Sequence, residues 1–260
     1  MTGLPSGRTV PVTVVIAARD EAANIAACIA SVKWAREVIV VENDSADDTA
    51  DIAVRAGAEV LRNRFVTIGG QRNAGVERAS SEWILVVDAD ERGSAELGEE
   101  VLSIVSRSAS EAPESCRIPR RNFFLGSEIR HGGWERDAPV RLFRSTLRYS
   151  PNRVHEHVET RATPGVLRSA LLHAPYATIG QYFEKLDRYS RWWAEDRSEQ
   201  GGRAGAGSVV FRPPLRFLSM YVLKRGCLDG GPGAVLACLA ATSVMAKYAR
   251  LWAMGRGRPK

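Results

Sequence analysis

A chain of 260 residues with 45% hydrophobic and 25% charged content can bury a sizeable core, which excludes wholesale disorder. The formal charge of +6 favours an anionic partner, whether nucleic acid, a phosphorylated substrate or an acidic membrane surface. Cys28, Cys116, Cys227 and Cys238 form no C-x-x-C pair, which argues against a zinc site or a disulfide framework.

Residues 1–11 carry neither an apolar core segment nor a cleavage pattern, so no secretory signal is expected and the active site is expected to be cytosolic. From there strand-like and helix-like segments alternate. Residues 12–17 are a short β-branched run suited to a buried strand, and 24–32 space their apolar residues as a helix does. A second strand is expected at 37–41, and a second helix at 45–56 with Ser45 as its N-cap. A strand at 59–61, a helix at 71–79 and a strand at 83–87 complete the rhythm. Such alternation predicts an α/β domain, a mostly parallel sheet covered by helices on both faces.

Ligands of such sheets bind beyond the carboxyl ends of the strands. The residues that follow the strands are Arg19-Asp20-Glu21, Glu42-Asn43-Asp44-Ser45 and Asp88-Ala89-Asp90-Glu91. Seven carboxylates brought to one edge repel one another, so cations are expected close by. Two carboxylates in a D-x-D at a strand end suit a hard divalent cation that keeps positions open for phosphate oxygens.

The middle, residues 117–158, is rich in Arg, His and Trp, with strand-like pieces at 117–119 and 140–143. Residues 179–193 set Ile179, Tyr182, Phe183, Leu186, Tyr189 and Trp193 along one helical face, and 201–208 read as a small-residue linker. A basic and apolar stretch at 211–225 precedes an uncharged run at 234–246. As a helix that run is about 20 Å long, short of the roughly 30 Å of a hydrocarbon core. Its expected place is a buried core helix, a homodimer contact or, with Arg212, Arg216, Lys224 and Arg225 nearby, a peripheral membrane attachment.

Several spaced motifs carry a family resemblance. V-T-V-V-I-A-A-R-D-E, V-I-V-V-E-N-D-S-A-D-D-T, G-G-Q-R-N-A-G-V-E-R-A and W-I-L-V-V-D-A-D-E resemble the nucleotide-binding half of family 2 glycosyltransferases. R-I-P-R-R-N-F-F-L-G, I-R-H-G-G-W-E-R-D-A-P-V-R-L-F-R, V-H-E-H-V-E and L-K-R-G-C-L-D-G are similar to the bacterial lipopolysaccharide-core branch, of the kind that adds β-1,4-glucose to heptose. The resemblance implies a GT-A fold over residues 1–177, with a nucleotide-sugar half at 10–92 and an acceptor half at 93–177, and a helical C-terminal region at 178–260.

It further implies an inverting enzyme that moves a hexose from a UDP-sugar to a glycan or lipid-linked glycan acceptor, with Mn2+ or Mg2+, at the inner face of the cell membrane. Ala18, Glu21, Glu42, Arg72, Asn73, Asp88 and Ala89 match the nucleotide-sugar pocket. Glu42 stands where the family usually has Asp, which leaves Asn43 and Asp44 as competing contacts. Asp90 matches the principal metal ligand, with Asp88 and His155 as further donors. Asp137 matches the base that deprotonates the acceptor, with Glu135 its competitor, and Trp134, Glu135 and Arg141 are expected to line the acceptor site.

The nearest enzymatic rival, a sugar nucleotidyltransferase, needs a glycine-rich basic loop after the first strand, where this chain has Ala17-Ala18-Arg19-Asp20-Glu21. A nucleic-acid-binding module lacks its signature here, and acidic strand ends repel a phosphate backbone. A nucleotide-sugar-binding protein without turnover is the remaining alternative.

Overall fold

The computed structural model describes residues 9–108, 111–135, 137–152 and 156–256. They form two compact units, one built from the chain up to Arg120 together with Asp137–His173, the other from Arg121–Arg136 together with the chain from Ala174 onward. Residues 121–136 thus cluster with the C-terminal helices, because Phe124 and Ile129 are buried in the same core as Met220 and Leu236.

The first unit is a mixed α/β layer structure on a mostly parallel sheet. Strands β1 (Val10–Ala18), β2 (Ala35–Glu42), β3 (Glu59–Arg62) and β4 (Trp83–Asp88) run parallel, linked by helices α1 (Ile25–Ser31), α2 (Thr49–Arg55) and α3 (Ile68–Arg78). After β4 come the two-residue strand β5 (Glu91–Arg92) and α4 (Ala95–Val105). Strand β6 (Ser115–Arg117) follows; β7 (Arg120–Phe124) and β8 (Ser127–Ile129), which beyond Arg120 belong to the second unit, come next, then β9 (Val140–Arg144), β10 (Gly165–Val166) and β11 (Leu171–Tyr176), whose last three residues pass into the second unit. The order across the main sheet is β10-β6-β9-β4-β1-β2-β3, with β9 antiparallel to both neighbours.

Alternate residues of the same strands feed two cores. Val12, Val14, Ile16, Leu85 and Val87 face one side with Ile29, Leu97 and Val101, and Val15, Ile39, Val41, Ile84 and Val86 face the other with Val76, Phe143 and Tyr149. Burial on both faces is what a parallel sheet requires, and explains why its strands read as unbroken apolar runs. Helix α3 packs tightly on the sheet, since a Cβ at Gly75 would clash with Val15 and Val41. That approach carries Gln71 and Arg72 to the strand ends.

Two helix starts differ from expectation. Helix α2 begins at Thr49 with Asp48 before it, because Ser45 is engaged in the preceding turn: its hydroxyl accepts from Asp20 N at 3.0 Å and its own N–H donates to Glu42. Helix α3 begins three residues earlier than the expected Gln71, where Thr67 Oγ1 caps Gly70 N at 3.0 Å.

In the second unit, residues 121–124 and β8 make a hairpin whose two-residue turn, Leu125-Gly126, has positive φ at both positions. Helices α5 (Ile179–Glu199), α6 (Ala206–Leu218) and α7 (Gly230–Arg256) follow, with a widened π-type turn at Ser219–Leu223. Tyr182 Oη meets Ser243 Oγ at 2.8 Å, Arg250 pairs with Asp187, and the Trp193 and Tyr248 rings lie 5.1 Å apart, so α5 and α7 pack side by side. The expected linker at 201–208 is shorter, because α6 already starts at Ala206.

The uncharged run is part of a longer helix than its composition suggests. Helix α7 has 27 residues, about 40 Å at ~1.5 Å per residue, because Lys247 and Arg250 are accommodated by Trp193, Asp187 and Ser190 instead of ending it. The segment Gly226–Arg256 is, by length and composition, long and apolar enough to cross a membrane.

Candidate active site

The sheet register brings the acidic segments to one edge. Ala17 pairs with Asp88 and Ala18 with Glu42, so the D-x-D and the acidic ends of β1 and β2 leave the sheet at the same level. Beneath them Gln71 Nε2 donates to Ala18 O at 3.1 Å and Val41 O at 2.6 Å, which ties the two strand ends together.

The cations demanded by this edge are arginines. Asp88 Oδ1 accepts from Arg72 Nη2 at 2.6 Å, while Oδ2 accepts from Arg120 Nη2 at 3.0 Å and from Arg141 Nη2. Glu91, fully buried, accepts from Asp88 N at 2.7 Å and from Arg120 Nε at 2.5 Å, with Arg141 at 3.4 Å. Arg72 also reaches Glu156 at 2.9 Å and lies over the Tyr149 ring. Burial works to raise the Asp88 carboxyl, but Arg141, Arg72 and Arg120 outweigh it and hold the group well below the ordinary carboxylate range. Burial likewise opposes the charge on Arg141, and Asp88 and Glu91 restore it.

Asp137 sits at the rim of this network. Its Oδ2 accepts from Arg120 Nη1 at 3.0 Å, and its side chain is 40% exposed, against 25% for Asp88 and 0% for Glu91. One guanidinium therefore holds the expected base and the first D-x-D carboxylate. Asp137 is the member of that set most open to an incoming molecule.

The other expected residues take varied positions. Glu21 Oε2 accepts from Asn24 Nδ2 at 2.7 Å, and its backbone N–H donates to Thr49 Oγ1 at 2.8 Å. Glu42 is 5% exposed and fixes the Ser45 turn; Asn43 exchanges both amide hydrogen bonds with the Phe65 backbone, and Asp44 pairs with exposed Arg64 at 3.0 Å. Ala18 and Ala89 are buried. Asn73, expected at the nucleotide, has both ends of its amide on the backbone of Tyr149, at 3.0 and 2.9 Å.

Arg141, expected at the acceptor, is buried under Asp88 instead, because the antiparallel pairing of β9 with β4 aims it at the β4 end. Trp134 and Glu135 belong to the second unit: Trp134 packs against the core around Phe124 and Tyr182, and Glu135 Oε2 accepts from Gly133 N at 2.8 Å. His155 lies outside the described residues.

His173, which has no distinguishing motif around it, stands with Nε2 3.7 Å from Asp90 Oδ1. The antiparallel pairing of His173 with Glu91 brings it there. Burial lowers its pKa, against the opposing pull of Asp90, which favours the neutral imidazole, the form able to act as a ligand. Among the described residues no three His, Cys, Asp or Glu side chains are grouped to hold a metal by themselves. A Mg2+ or Mn2+ that also binds a diphosphate needs only one or two protein carboxylates; Asp90 supplies one, with the His173 nitrogen 3.7 Å from it. Arg120, Gln71 and His173 are site residues to which local sequence pattern gave no role, and Glu91 was expected only as one of the strand-end acids.

The family model for glycosyl transferase family 2 matches residues 13–108, the span that builds β1 to β4 and their acidic ends. An uncharacterized glycosyltransferase of Rickettsia conorii is 36% identical over 238 residues, covering 87% of this chain and 84% of that protein. The lipopolysaccharide core biosynthesis glycosyltransferase LpsC of Rhizobium meliloti is 26% identical over 254 residues, 92% of this chain and 93% of its own length. Among solved structures, glucosyl-3-phosphoglycerate synthase from Mycobacterium tuberculosis, crystallised with Mn2+, UDP and glucosyl-3-phosphoglycerate, shares 21% identity over 46% of this chain and 45% of its own, with a TM-score of 0.34. A family match over the strands that carry the site, joined to a glycosyltransferase aligned over most of both chains, makes this protein an enzyme of glycosyltransferase family 2.

Proposed function

We propose that the protein is an inverting hexosyltransferase that moves a sugar, glucose in the first instance, from a UDP-sugar to a glycan or lipid-linked glycan such as a lipopolysaccharide core, on the cytoplasmic side of the membrane. The relationship to LpsC supports the acceptor class. The observation that carries the chemistry is Arg120, which draws Asp137 and Asp88 onto one guanidinium.

In this reading the ends of β1, β2 and β4 receive the nucleotide, with Glu21 at the nucleotide and Asp88 toward the ribose. Arg72 and Arg120 hold Asp88 in place and supply positive charge where the diphosphate collects negative charge. A divalent ion held by Asp90 and His173 would offset the charge on the departing diphosphate. Asp137 accepts the proton of the acceptor hydroxyl. The new glycosidic C–O bond forms on one face of the anomeric carbon as the bond to the diphosphate breaks on the other, and the diphosphate leaves with the electron pair.

Calorimetric titration of the purified chain with a UDP-sugar panel, in Mn2+ or Mg2+ and again with chelator, tests the reading. Binding that needs the metal, and that Asp90→Ala and His173→Ala each weaken by about tenfold or more, is expected. If the wild type binds no nucleotide sugar, the transfer reading falls; if chelation leaves affinity unchanged, its metal half falls.

A further inference from the structure

Helix α6 has no buried residue along its 13 positions. Phe211, Leu215 and Leu218, with Val222 in the following turn, recur at helical spacing and are 69%, 63%, 49% and 54% exposed. The opposite side of the same segment, through Phe217, Met220 and Tyr221, packs into the core of the second unit. The segment is therefore apolar on two sides, and among the described residues only one of them is covered. A contiguous apolar stripe of this kind marks a docking surface.

Charge indicates what docks there. From residue 200 to 228 there is no Asp or Glu, and Arg203, Arg212, Arg216, Lys224 and Arg225 give the stretch five positive charges. At about 100° per residue Arg212 falls roughly a quarter-turn from the apolar stripe and Arg216 about a third of a turn, toward the packed side, and the Arg212 guanidinium lies over the Tyr248 ring, which fixes it at the flank. A two-fold contact between copies through this face would bring Arg212 and Arg216 of one copy against those of the other, with no acid in the stretch to answer them. An anionic lipid surface answers both features, taking the apolar stripe into the acyl boundary and the cations at the headgroups.

We propose that α6 and the turn after it form an in-plane membrane-binding surface that selects anionic phospholipid. The proposal stands independently of the transfer reaction, since none of these residues belongs to the candidate active site.

Flotation of the full chain with phosphatidylglycerol–phosphatidylethanolamine vesicles, against pure phosphatidylcholine vesicles, tests it. The wild type should float with the anionic vesicles, less so as salt rises, and poorly with the neutral ones. A double variant, Phe211→Ser with Leu215→Ser, should bind at least about tenfold more weakly while keeping its circular dichroism and its UDP-sugar affinity. Arg216→Glu should remove much of the preference for anionic lipid. A folded wild type that ignores anionic vesicles overturns the proposal, as does a double variant that floats as well as the wild type. A dimer in light scattering that the double variant dissolves, without vesicle binding, assigns the face to a second copy instead.

Discussion

Arg120 donates to Asp137 Oδ2 from Nη1 and to Asp88 Oδ2 from Nη2, both at 3.0 Å, while its Nε donates to buried Glu91. A planar guanidinium spreads its donors over three nitrogens and so reaches three carboxylates at separate positions; an ammonium has all its donors on one nitrogen and cannot span them in the same geometry. Arg120→Ala should cost about 3–5 kcal/mol of stability, because Glu91 and Asp88 lose a partner they cannot exchange for water. Arg120→Lys should remain folded but lose at least about tenfold in kcat, with a smaller change in KM. Wild-type melting and turnover in Arg120→Lys would remove Arg120 from the mechanism.

Asp137→Asn keeps the shape of the side chain and its place beside Arg120 but cannot take a proton. Donor affinity is expected to be unchanged and turnover to fall by about 100-fold or more. Glu135→Gln, in the second unit and bonded to Gly133 N, is expected to keep most of its activity. The reverse pattern, with Glu135→Gln inactive and Asp137→Asn active, would transfer the role of base to Glu135.

Asn73→Ala separates position from contact. Both ends of the amide serve the Tyr149 backbone, so the variant should lose about 1–3 kcal/mol of stability, measured by denaturant midpoint. UDP-sugar affinity of the folded fraction should hold. A selective loss of nucleotide affinity at unchanged stability would show that Asn73 touches the donor.

Glu128 in the β7–β8 hairpin gives a test of electrostatics within the second unit. Hydrogen bonds from Arg121 and Arg130 lower its carboxyl from the ordinary 4.5 to about 2. Because the folded value is depressed, the stabilisation is present above 4.5 and is lost as pH falls through about 2. With both arginines more than half exposed, its size should be about 1 kcal/mol or less. The melting-temperature gap between the wild type and Glu128→Gln should therefore close on acidification. A gap that stays constant down to that pH would mean the ion pair does not form in solution.

Much of the first unit was legible in local pattern. The β-branched runs of β1, β2 and β4, the helix between each pair, and the acids that follow the strands are short-range signals, set by backbone preference and two-sided burial. Helix starts were less legible wherever a capping side chain had a competing partner. Ser45 looks like an N-cap, yet it faces Asp20 from a neighbouring strand end, a contact that no local pattern encodes.

The amino-acid sequence by itself determined that carboxylates would gather at the carboxyl edge of a parallel sheet, with Asp88 and Asp90 after a buried strand, and that cations must balance them. Only the tertiary structure decided which cations. Arg141 meets Asp88 from 53 residues away because β9 inserts antiparallel beside β4, and His173 meets Asp90 because the start of β11 pairs with β5. The same folding set both ends of the Asn73 amide on the Tyr149 backbone, 76 residues away. The physical reason is one of range: strand and helix formation depends on neighbours along the chain, whereas ion pairing in a buried edge depends on which distant strands lie side by side.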